Sequence, residues 1–141
     1  MMDVTATLDA PCSPDALYDC VVDLGTYPKW LDIVPKAVPA ADGSWQVDLR
    51  GRVGPFARTK RLRMVRTVDE RPQRVVFERE ERDGRSHSPW VLDASVAAHP
   101  DGSRLTMRLH YGGSLFGPVL ERLLGDEIER SRPRLLALVT R

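Results

Sequence analysis

Two arginines, Arg66 and Arg79, and one tyrosine, Tyr111, fall where strand alternation turns them toward the same side as a series of large apolar residues. A guanidinium on such a face can fork onto a carboxylate or polarise carbonyl oxygens. A phenol near it can donate a hydrogen bond or act as an acid. Each group also has a plainer use: the arginine stems cover apolar surface while their heads reach the rim or pair with Glu81, and a buried tyrosine commonly bonds a backbone carbonyl. Which residues share this face depends on the pairing of the strands. Asp83-Gly84 and Asp101-Gly102 each suit a two-residue hairpin loop, whose positive φ angles match the twist of the flanking strands. Centring the second loop there pairs Val96 with Met107, Ala94 with Leu109 and Leu92 with Tyr111; the first pairs Phe77 with Trp90 and Val75 with Leu92. A turn around Arg71-Pro72 sets Arg66 opposite Phe77 and Arg79 opposite Met64. A slip by one residue would turn the whole apolar set to water.

The face so defined carries Trp45, Val47, Leu49, Leu62, Met64, Val68, Val75, Phe77, Trp90, Leu92, Ala94, Val96, Leu105, Met107, Leu109 and Tyr111, and the same parity brings in Lys60, Arg66, Arg79, Glu81 and Ser88. Charged groups against an apolar cavity are costly unless paired or hydrated, so this pattern implies a wet mouth or contact with polar ligand atoms. His87, His99 and His110 take the opposite parity, with His110 expected to pair with Asp93 across the outer face and His99 opposite Arg104. No histidine base, metal triad or Ser-His-Asp arrangement can then be assembled on the inner face, and no metal is expected. Gly112-Gly113 and Gly117 lack the strand context and the continuation of a phosphate-binding loop, so no nucleotide or other cofactor is expected.

The elements that must position these groups follow from period and punctuation. Val4, Ala6 and Leu8 alternate with polar residues in a first strand ended by Pro11. Ser13 is placed to cap a helix whose first position is Pro14, whose dipole Asp15 complements, and whose apolar stripe is Leu17, Tyr18, Val21 and Val22 before Gly25. The stretch 24–35 reads as a turn and a short second helix, with Tyr27 and Trp30 either packed in the core or forming an aromatic lip with Trp90. From Trp45 to Tyr111 the period is two, giving a five-strand antiparallel meander with turns at Gly54-Pro55, Arg71-Pro72 and the two Asp-Gly pairs, to whose edge the first strand can add. After Gly113, Leu120, Leu124, Ile128, Ser131, Leu135 and Leu138 recur at helical spacing in one long terminal helix, which Pro133 is expected to bend near Glu129. The fold class is therefore α+β: a curved antiparallel sheet wrapped around a long C-terminal helix, the only two apolar surfaces large enough to cover one another.

At 141 residues the chain is expected to be one ligand-binding domain, 1–141, with one core. Its net charge of +1 comes from acids and bases that interleave, and the only lysines are Lys29, Lys36 and Lys60, so nucleic acid is not an expected partner. Apolar runs such as Leu135 to Val139 are too short to span a bilayer, and Met1-Met2-Asp3 does not begin a leader peptide; a cytoplasmic location without stable membrane insertion is expected. Cys12 and Cys20 read as reduced and structural. A monomer or weak homodimer is expected.

The stretch Val21-Val22-Asp23-Leu24-Gly25-Thr26-Tyr27-Pro28-Lys29-Trp30-Leu31 resembles the segment that follows the first helix in bacterial members of the helix-grip superfamily, which includes START-like lipid-transfer domains, the Bet v 1 birch-pollen-allergen fold and the polyketide cyclase/dehydrase group. Trp90 and the run Asp101-Gly102-Ser103-Arg104-Leu105-Thr106 are similar to that group's tryptophan strand and hairpin. The resemblance covers essentially the whole chain. It implies a pocket between sheet and terminal helix for a hydrophobic or aromatic ligand, while leaving open whether members bind, carry or transform its contents. The candidate ligand contacts are Trp30, Trp45, Leu62, Met64, Arg66, Phe77, Arg79, Trp90, Leu92, Met107, Leu109, Tyr111, Leu124 and Ile128.

Three functions are compatible with this pattern. The favoured one is a binder or carrier of a small hydrophobic molecule such as a lipid, a quinone or a polyketide; a cavity too small for a fatty chain would weigh against it. The second is a cyclase or dehydrase acting on a poly-keto chain, with Tyr111 as acid and Arg66 or Arg79 holding oxygens. The third is a protein-interaction module that uses the grip surface.

Overall fold

Seven strands form a single antiparallel sheet in a computed structural model that describes residues 2–53, 56–112 and 117–140. They are β1 (Met2–Ala10), β2 (Lys36–Pro39), β3 (Trp45–Val53), β4 (Phe56–Glu70), β5 (Arg74–Arg79), β6 (Trp90–His99) and β7 (Gly102–Tyr111), in the spatial order β1-β7-β6-β5-β4-β3-β2. The five-strand meander and the edge placement of the first strand are as predicted. The short edge strand β2 was not foreseen, because its four residues, with Pro39 at the end, carry no alternation to read. The Gly54-Pro55 turn lies outside the described residues.

Helix α1 (Pro14–Val21) starts where its caps dictate: the Ser13 hydroxyl accepts from the Ala16 amide and Pro14 occupies the first turn. Asp23 then caps a 3₁₀-helical turn at Leu24–Lys29 by accepting from the Gly25 amide. Helix α2 (Gly117–Val139) runs through Pro133 as one element and packs on β1, α1 and β3.

Side-chain rows cross the concave face from strand to strand. Val4, Leu109, Leu92, Phe77 and Arg66 form one row; Ala6, Met107, Ala94 and Val75 form the next. The inward parity predicted for β5, β6 and β7 holds, and Arg66 does lie opposite Phe77 and Arg79 opposite Met64. The partners around both Asp-Gly pairs, however, are displaced by two residues. Val96 pairs with Leu105, Ala94 with Met107, Leu92 with Leu109 and Trp90 with Tyr111, because the loop residues are Pro100 and Asp101 and Gly102 already pairs with His99. Proline's fixed φ suits the first loop position, and Gly102, at φ 143°, lies where an added Cβ would come within 2.2 Å of the Ala10 carbonyl oxygen. Phe77 likewise pairs with Leu92 and Val75 with Ala94, since residues 80–89 form a connection outside the strands and Asp83-Gly84 only turns within it. A displacement of two preserves the face of every side chain, which is why the inward set survives the wrong partners.

Two residues do change face. A bulge between Arg66 and Val68 pairs Val68 with Val76 and Asp69 with Val75, so Val68 turns outward and Asp69 inward. The Tyr18 hydroxyl of α1 donates to Asp69 at 2.5 Å and to the Arg74 carbonyl at 3.0 Å, tying α1 to the end of the β4–β5 hairpin.

Candidate functional site

A cavity of about 120 Å³ lies between the concave face, the 3₁₀ turn with its continuation to Val34, and α2. Each wall follows from a local pattern. Val4, Ala6 and Leu8 enter from alternate positions of β1, and Leu105, Met107 and Leu109 from β7 beside them. Val47 and Leu49 face Leu62 and Met64 across β3 and β4, and Trp90 and Leu92 come from β6. The 3₁₀ turn contributes Leu24 and Tyr27, and Trp30, Leu31, Ile33 and Val34 follow it. Helix α2 closes the cavity with Ile128, Ser131, Arg132 and Leu135, one face at spacings of three and four.

Of the predicted ligand contacts, the structure brings Trp30, Leu62, Met64, Trp90, Leu92, Met107, Leu109 and Ile128 together on this lining. The side chain of Leu124 lies outside the described residues. The other five belong elsewhere. Trp45 and Phe77 form an edge-on pair (5.6 Å, 87°), the indole of Trp45 donates to Asp23 at 3.2 Å, and Phe77 also meets Tyr27. Tyr111 packs its ring on Trp90 with centroids 4.4 Å apart. Arg66 donates to the Val22 carbonyl at the end of α1 (2.7 Å) and holds its guanidinium 5.5 Å from the Trp45 ring. Arg79, whose side chain is only 7% exposed, donates to Glu81 at 3.0 Å and to the Ser88 carbonyl, with the His87 ring 3.3 Å away. Both cations are thus occupied by protein oxygens, the plainer of their two predicted uses, and neither lines the cavity.

Among the histidines, His110 changes partner. His110 contacts Asp3, its cross-strand neighbour on β1, at 2.8 Å, and not Asp93, which pairs with Arg74. His99 approaches Arg104 and Asp9. His87 sits in the 80–89 connection between Asp83 and Arg79. Among the described residues no group of three or more His, Cys, Asp or Glu side chains is placed to hold a metal ion. Tyr27 and Trp30 stack at 4.8 Å while Trp90 joins Tyr111, so the three do not form a shared lip.

The polar members of the lining are few. Ser131 donates to the Ile128 carbonyl at 2.7 Å, and Arg132 lies 3.4 Å from Glu129. Tyr27 is fully buried, and burial pushes its hydroxyl well above the usual phenol range while it donates to the Val21 carbonyl. Ser131 and Tyr27 are thus satisfied, whereas the Arg132 Nε–H, though near Glu129, is buried without a hydrogen-bond acceptor among the described residues. Lys60 stands apart at the edge: it lies opposite Leu49 and two residues before Leu62, and its ammonium is 6.0 Å from both the Trp90 and Tyr111 rings. Sequence reasoning missed the contribution of β1, of Leu31, Ile33 and Val34 and of Leu105. Alternation in β1 was legible, but nothing local says that an edge strand curls far enough to close a cavity.

Residues 1–140 match the family described as polyketide cyclase / dehydrase and lipid transport. Among solved structures the chain is similar to a START superfamily protein from Mycobacterium smegmatis, with a TM-score of 0.70, 17% identity, and coverage of 98% of this chain and 97% of that one. It is similar to a conserved protein from Geobacillus kaustophilus at TM-score 0.75 and 10% identity, covering 99% and 95%. It also matches the di-domain ARO/CYC protein StfQ of the steffimycin biosynthetic pathway at TM-score 0.68 and 15% identity, covering 98% of this chain and 50% of that one. At these identities the likeness is one of fold. No curated protein matches the sequence. Among the described residues no helix is long and apolar enough to cross a membrane.

Proposed function

The chain belongs to the polyketide cyclase / dehydrase and lipid transport family, and on that basis we propose that it binds a compact hydrophobic or aromatic molecule in the cavity between the sheet and α2, the whole chain acting as one binding unit. The observation that carries this reading is the cavity itself, apolar on every wall and closed by residues from five strands, the 3₁₀ segment and α2.

Its size sets the class of ligand. An apolar cavity of roughly 150 Å³ takes up a benzene ring, whereas pockets that enclose drug-sized molecules run to roughly 300–1,000 Å³. At about 120 Å³ the space suits one ring or a short branched chain. That weighs against a long-chain lipid as cargo and favours an aromatic or other small ligand. The cyclase or dehydrase reading draws no support from Arg66, Arg79 or Tyr111, which lie outside the lining with the two guanidinium groups held by protein oxygens.

Calorimetric titration of the full chain with ethylbenzene tests the reading. Saturable binding is expected, with a stability gain of about 2.7 kcal/mol at a hundredfold excess over Kd. Ala6→Phe, which places a ring in the cavity from β1, is expected to abolish binding while the chain stays folded. Absence of saturable binding, or equal binding by the Ala6→Phe variant, would contradict it.

A further inference from the structure

Lys60 is a cation with no acid in ion-pair contact among the described residues, set beside an apolar cavity. Its strand parity is that of Leu62 and Met64, so it projects from the concave face, and its cross-strand partner Leu49 and its near neighbour Leu62 both line the cavity. The ammonium stands 6.0 Å from the centroids of Trp90 and Tyr111, at the limit of a cation–π contact. The nearest charges do not satisfy it. Glu81 is committed to Arg79 at 3.0 Å and to the Arg63 amide at 2.9 Å, and Arg79 is itself a like charge. Burial first, and then Arg79, lower the Lys60 pKa from its ordinary value. An incoming anion would relieve both effects. Trp90, which lines the cavity, adds a second unmet demand: its buried indole N–H has no acceptor among the described residues. A cation and a donor without partners at one edge of an apolar chamber call for an acceptor-rich anionic group attached to an apolar body.

We infer that the ligand is a compact apolar carboxylate, its ring or short chain in the cavity and its carboxylate on Lys60 at the rim. This rests on the cavity-binding reading above and adds the headgroup to it. The site selects against neutral analogues of the same shape, since those leave the ammonium without a partner. The preference weakens as salt rises, because Lys60 is exposed.

The test compares hydrocinnamate with hydrocinnamyl alcohol, which share a ring and spacer, by calorimetry on the full chain at neutral pH and low ionic strength. The wild-type chain is expected to bind the carboxylate about tenfold more tightly than the alcohol, a difference of about 1.4 kcal/mol. In Lys60→Met, which keeps the apolar stem, that preference is expected to vanish while alcohol affinity is unchanged, and Lys60→Arg is expected to restore it. Equal affinities in the wild type, or a preference that survives in Lys60→Met, would overturn the carboxylate assignment and leave the cavity reading standing. If neither compound bound the wild type, both would fall.

Discussion

Arg66 spends its guanidinium on the Val22 carbonyl, an acceptor left open where α1 ends, and covers the Trp45 ring on the way. A cation at a helix C-terminus also meets the negative end of the helix dipole. Arg66→Ala is therefore expected to cost about 1–2 kcal/mol of stability, measured by urea denaturation, and to change ligand affinity by less than about twofold, since the residue is not part of the cavity lining. A large loss of affinity with intact stability would return Arg66 to the binding site. The case shows what a side-chain parity can tell. Alternation correctly put Arg66 and Arg79 on the inward side and gave their partners Phe77 and Met64. It could not say where a long, flexible head would find its acceptor, because Val22 comes from α1 and Ser88 from the 80–89 connection, outside the sheet ladder. For Lys60 the same limit works in reverse: its parity was legible, and its lack of an acidic partner among the described residues was not.

At the scale of elements, β5 leaves the sheet at Arg79 and the Glu81 side chain takes up the pairing, accepting the Arg63 amide of β4 at 2.9 Å as a strand carbonyl would. Burial pushes the Glu81 carboxyl up, but the Arg63 amide and the Arg79 guanidinium more than offset it and hold the group below its ordinary 4.5. A carboxyl lowered in the folded state contributes stability that is complete above its unfolded pKa and is lost as pH falls through the folded value. Stability should thus decline on acidification below about pH 4.5, and Glu81→Gln should flatten part of that decline. Urea midpoints measured from about pH 5 to about pH 3 check this; parallel slopes in the two proteins would contradict it. The strand order and inward faces of β3 to β7 were readable because period two is unambiguous over long strands. Hairpin partners were not, since Pro100 took a loop position that Asp101-Gly102 was expected to fill, and the bulge that turned Asp69 toward Tyr18 left no mark in the composition.

Across the whole molecule, the sheet wraps α2 because each presents the apolar surface the other lacks, and the mismatch between a curved face and a helix leaves a chamber. The existence of that chamber was foreseeable from the pattern of elements and from the family resemblance. Its walls were foreseeable only in part: the strand residues Leu62, Met64, Leu92, Met107 and Leu109 were named, while Val4, Ala6 and Leu8 of β1 and Leu31, Ile33 and Val34 were not. Closure depends on curl and on the course of a segment punctuated by prolines, neither of which leaves a periodic signal. Its volume depends on how far side chains interdigitate, and no local rule supplies that.

The most direct test of this account is a set of ligand-to-methyl nuclear Overhauser contacts on methyl-labelled protein saturated with ethylbenzene. The account predicts contacts from the ring protons to Leu62, Leu105, Met107 and Ile128, which face the chamber from three different elements. Contacts confined to outer-face methyls such as the exposed Val38, with none to those four residues, would contradict it.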